Sequence, residues 1–175
     1  MSALTNHTST FKFLLAFALL LGLAGPVQAQ FYYKLIREST NVTADALSIV
    51  QLTSNTKHVQ FRQIIVYCFL TGTTTAAPCT VTIERGGTIA TTTEITATAD
   101  WATTDTSAVT PGFKVFHTSN AGAGVRIGIC KSSICPFDAN AMRLDKERSR
   151  QYTIKIAHSA AVDVTYDVAV EEVQK

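Results

Sequence analysis

Residues 162–170 read Val162-Asp163-Val164-Thr165-Tyr166-Asp167-Val168-Ala169-Val170. Val162, Val164, Tyr166, Val168 and Val170 alternate with Asp163, Thr165, Asp167 and Ala169. A period of two places successive side chains on opposite faces, so this stretch predicts a strand with one buried and one wet face. The same rhythm recurs upstream. Tyr152, Ile154 and Ile156 alternate with Thr153 and Lys155, and Val125, Ile127 and Ile129 alternate with Arg126 and Gly128. Phe113 and Val115 flank Lys114 before Phe116 breaks the pattern. Ile64–Leu70 is apolar on both faces, as a central strand requires.

Outward from these runs the composition agrees. Residues 30–175 hold 23 Thr. Thr and Val lose side-chain freedom in a helix and pack well on a pleated surface. Turn residues separate the runs: Gly86-Gly87, which suits a type I′ hairpin between 79–85 and 88–97, then Pro111-Gly112, then Asn120 to Gly124. The strands are expected at about 31–37, 46–52, 58–70, 79–85, 88–97, 113–118, 124–130, 140–144, 150–158 and 162–171. Short strands with turns at this spacing predict an all-β fold, a two-sheet antiparallel β-sandwich of Ig-like or jelly-roll-like type.

The N-terminus has a different character. Residues 1–12 are polar, with Lys12 as the fixed positive side chain, and Phe13–Gly25 is an unbroken apolar run of 13. A membrane-spanning helix needs about 20 apolar residues. Thirteen fits the centre of a secretory signal, and Val27-Gln28-Ala29 fits the small-x-small cleavage pattern. Residues 1–29 are therefore read as a cleaved signal peptide and 30–175 as a single β-sandwich domain, secreted and without a membrane span after cleavage. The charge is balanced, 15 basic against 13 acidic residues. That balance argues against nucleic acid as a partner.

Cys68, Cys79, Cys130 and Cys135 all lie beyond the signal, and an even number in an oxidising compartment reads as two disulfides. The favoured pairing is 68–79 and 130–135. Cys68 and Cys79 share faces with apolar neighbours on consecutive strands, and 130–135 would pin a short loop. The spacings do not match a zinc site.

Candidate chemistry is sparse. His158, Ser159 and Asp163 supply the residue types of a hydrolytic triad, but neighbours along a strand point to opposite faces. His58, His117 and His158 are scattered, so no metal or other cofactor is expected. Trp101 lies in the long segment Thr98–Pro111. It is expected to cap the core; with Asp100 and Asp105 the alternative is a glycan-stacking platform. Phe31, Tyr33 and Leu35 alternate directly after the cleavage site. They are expected to form the first strand of the chain's own fold, and the alternative is a strand donated to a neighbouring subunit. Asn41-Val42-Thr43 fits the glycosylation acceptor pattern. The sequence thus predicts a non-enzymatic exported protein with a structural or adhesive role. The alternatives are a filament subunit, with the chain itself as partner, and a small carbohydrate-binding module.

Overall fold

The computed structural model describes residues 30–54, 57–87, 93–95, 98–99, 111–118, 122–144 and 150–173. The expected signal peptide, and the Trp101, Asp100 and Asp105 platform, lie outside these residues.

The described elements are all strands: β1 (Gln30–Gln51), β2 (His58–Leu70), β3 (Cys79–Arg85), β4 (Thr93–Ile95), β5 (Thr98–Ala99), β6 (Phe113–Thr118), β7 (Val125–Ser132), β8 (Ile134–Phe137), β9 (Arg143–Leu144) and β10 (Gln151–Val173). All pairings are antiparallel, and they join into one open sheet. The pairing therefore gives one hydrogen-bonded sheet where two were expected. The reason lies in β1 and β10. The sequence pattern divides each into two strands, but each runs unbroken through a bend, carrying the ladder with it.

These two strands form the spine. Gln30–Ser39 pairs with Val164–Val173, and Ala44–Val50 pairs with Gln151–Ala157, with register shifts between Ser39 and Ala44. One limb adds β2 beside the second half of β10, with β8 and β9 on β2 and β5 on the first half of β1. The other adds β3 and then β7 beside the first half of β10, and β6 and then β4 beside the second half of β1. Asn41 turns the spine with φ of 57°. Asn tolerates this left-handed conformation better than branched residues do. Asp163 fixes the bend, its two oxygens accepting from Asn41 N–H (2.8 Å) and Gly72 N–H (2.7 Å).

The two limbs share one core. The Tyr33 ring of β1 meets Phe113 of β6 edge-on at 5.2 Å, and Phe61 of β2 meets Tyr152 of β10 at 5.4 Å. Cys68 on β2 is bonded to Cys79 on β3, and Cys130 on β7 to Cys135 on β8. Each disulfide thus ties one limb to the other.

Two local features depart from the expected pattern. In β2 the pairing slips where Ala169 opposes Gln63 and Val170 opposes Phe61. The extra residue lets Val59 and Phe61, then Ile64, Val66 and Cys68, all face the core. Gly86 and Gly87 do have the positive φ of the expected turn, 71° and 104°. However, β4 pairs with β6, so the expected hairpin between 79–85 and 88–97 is not made by the described residues.

Candidate functional site

Three places concentrate chemistry. The first lies under the spine's bend. Asp45, almost fully buried, accepts from the Tyr166 hydroxyl at 3.1 Å and lies 2.6 Å from His117 Nε2. The Ser39 hydroxyl is 3.1 Å from that same nitrogen. A carboxylate cannot donate, so Nε2–H is the donor and Asp45 accepts its hydrogen bond. Ser39 then accepts from the same N–H. A hydrolytic triad instead needs the acid on one ring nitrogen and the nucleophile on the other. This arrangement holds a turn together and does not activate Ser39. Burial, then the charge and hydrogen bond of Asp45, raise the Tyr166 hydroxyl well above its ordinary pKa, with Arg37 acting in the opposite direction.

The second lies at the far end of the spine. Glu171 and Glu172 are both fully buried. Glu172 accepts from Gly112 N–H (2.7 Å) and the Tyr33 hydroxyl (3.3 Å), with Lys57 Nζ at 3.8 Å. Glu171 is paired with Arg62. Lys57 also stands 4.6 Å over the Phe31 ring, a cation–π contact. Burial, then Glu172, raises the Tyr33 hydroxyl above its usual range. The hydrogen bond to Glu171, then its charge, raises that of Tyr32. Each carboxylate has cationic or hydroxyl partners, while Glu171 Oε1 is buried with no hydrogen-bond partner among the described residues.

The third is a groove of about 430 Å³. Its floor is Ile83, Met142 and Tyr152; its walls are Ile127–Ile129 of β7 on one side and Phe137, Asp138 and Ala141 on the other. That volume falls within the usual range of binding clefts. Beside it the surface is apolar: Val125 is 61% exposed, Ile127 45%, Ile129 51% and Ile134 53%. β7 pairs with β3 on one side, and no described strand pairs with its other side. The alternation at 125–129, which in the sequence signals a buried face, is here mostly wet.

The other candidate residues fall elsewhere. Tyr33 and Leu35 are buried and Phe31 packs against the core, in a stretch laddered to β10. His158 Nδ1 lies 2.7 Å from the Ala160 carbonyl oxygen and 3.0 Å from its nitrogen, while Asp163 is bonded to Asn41 and Gly72. The structure does not bring His158, Ser159 and Asp163 together as a triad. Asn41 and Thr43 are exposed. Sequence reading missed the Asp45–His117 pair, because nothing in the spacing shows that a bend in β1 brings Asp45 within reach of β6. No protein-family model, curated protein or solved structure matches this chain.

Proposed function

We propose that the chain is an exported, non-enzymatic β-protein with a structural or adhesive role outside the cytoplasm, its leader cut after Ala29. The observation that carries this reading is the exposed apolar stripe Val125, Ile127, Ile129 and Ile134 beside an open groove. A contiguous apolar surface on a folded chain marks a place where something docks. The two disulfides support an oxidising compartment. In this reading the bent sheet works as a two-layered sandwich, clamped by the disulfides, that presents β7 at its edge. Donation of Phe31–Arg37 to a neighbouring subunit fits less well. It would strip that segment from β10 and expose Tyr33 and Leu35 to water.

Expression of the full chain with a C-terminal tag, followed by fractionation and mass spectrometry, tests this. The expected product begins at Gln30, is free of thiols, and is found outside the cytoplasm. Cytosolic product with an intact leader overturns the reading. So does turnover of ester, peptide or glycoside substrates that His117→Ala abolishes.

A further inference from the structure

The free side of β7 has a definite chemistry. Of its eight residues, the last are tied back through Cys130 to Cys135 at the start of β8. Among the described residues that leaves Val125–Ile129 as open edge, about 17 Å of backbone. An open edge offers N–H and C=O groups to an added strand, and native proteins usually cover or blunt such edges. Here the edge borders a groove that reaches the core at Ile83, Met142 and Tyr152. At Gly128 the Phe137 ring stands close against the β7 backbone. A Cβ there would sit 3.3 Å from the Phe137 ring, so a larger residue would press on the opposite wall.

The rim carries net positive charge: Arg85 and Asp138 line the groove, and Arg126 and Lys131 are exposed on the neighbouring β7, which holds no acid. Glu84 stands across from Arg126, but its carboxylate is occupied by Lys155 Nζ (2.7 Å) and Gly124 N–H (2.7 Å). Arg85 and Lys131 are in no salt bridge among the described residues.

We infer that this groove receives an extended segment of a partner protein, apolar at alternate positions and acidic between them, added as a strand to β7. The inference deepens the docking reading above and rests on it. Main-chain hydrogen bonds to Val125–Ile129 supply affinity. Alternate apolar side chains enter the groove beside the Phe137 ring, and the intervening carboxylates meet the Arg85, Arg126 and Lys131 rim. A second copy pairing β7 to β7 fits less well, because it sets the same basic rims against each other.

Short fluorescent peptides with capped ends, alternating glutamate with valine, are titrated against the oxidised chain by anisotropy. Controls replace glutamate with lysine, or keep the composition with the valines grouped. The alternating acidic peptide is expected to bind at least about tenfold tighter than either control, and to weaken as salt rises. Arg85→Glu with Lys131→Glu is expected to reverse the order of the acidic and lysine peptides. Ile127→Asp with Ile129→Asp is expected to abolish binding with the circular-dichroism spectrum unchanged.

Equal binding of all three peptides, or full binding by the Ile127/Ile129 variant, overturns the inference. So does concentration-dependent dimerisation in the ultracentrifuge that this variant abolishes, which would assign the groove to a second copy. Loss of peptide binding in a chain that is still exported and inactive on substrates sinks this inference alone. Cytosolic retention or catalytic turnover sinks the reading beneath it.

Discussion

Tyr166 shows how one hydroxyl holds a bend. It is fully buried on β10, and its partner Asp45 lies past the bend on β1. The bond therefore joins the two halves of the spine. Removing it by Tyr166→Phe leaves Asp45 buried with His117 and without its hydroxyl donor. Hydrogen bonds to charged groups contribute about 1.5–3 kcal/mol, so a loss of that order is expected in urea unfolding at neutral pH. The alkaline limb gives a second check. The folded-state pKa values of Tyr166 and Tyr33 are raised above the unfolded value near 10. Their contribution is complete below about pH 10 and is lost as pH rises beyond it, because the unfolded chain ionises first. The Tyr166→Phe variant should lose stability less steeply above that pH. An unchanged alkaline slope would show that Tyr166 is not the group responsible.

At the scale of elements, the limits of β3 and β6 are plain in the sequence, because alternation and flanking turn residues agree there. The long strands are not. A strand that bends without Gly or Pro leaves no punctuation, and β1 turns at Asn41 while β10 turns through Ser159-Ala160-Ala161. The bulge in β2 is hidden for a related reason: one extra residue flips the alternation phase, and Arg62-Gln63 looks like a polar interruption. β8 lies where the sequence suggests a loop pinned by Cys130 and Cys135, and it contains Pro136. Pro is tolerated on edge strands, and no described strand lies beyond β8. The groove was the least legible feature. Exposure of Ile127 and Ile129 follows from what does not pair with β7, and that is a property of topology. The bend itself is testable. Asn41→Val places a β-branched residue at φ 57° and should cost about 1–2 kcal/mol. Asn41→Gly should be neutral within a few tenths of a kcal/mol, since glycine adopts this region freely. Equal thermal shifts for the two variants would show that the backbone conformation is not what Asn supplies.

For the molecule as a whole, the two disulfides do different work although both cross between limbs. Cys68–Cys79 closes 11 residues of sequence separation and is buried at both ends. Cys130–Cys135 closes 5 and lies beside the groove, with Cys130 only partly buried. Loop-closure entropy assigns about 3 kcal/mol to the longer loop and about 2 kcal/mol to the shorter. Replacing Cys68 and Cys79 by Ala also empties core volume, which adds a cavity cost. Replacing Cys130 and Cys135 leaves less of a void. The Cys68/Cys79 variant should therefore lose more in urea midpoint, and the gap should exceed the entropic difference alone. The Cys130/Cys135 variant should keep most of its stability but free the end of β7 that the bond pins beside the groove. In amide exchange its protection should fall first at Val125–Ser132, while Tyr152–Ile156 on β10 stays protected. If instead both variants lose the same stability and protection falls evenly, the limbs are held by the shared core. The covalent ties would then act only on the unfolded chain.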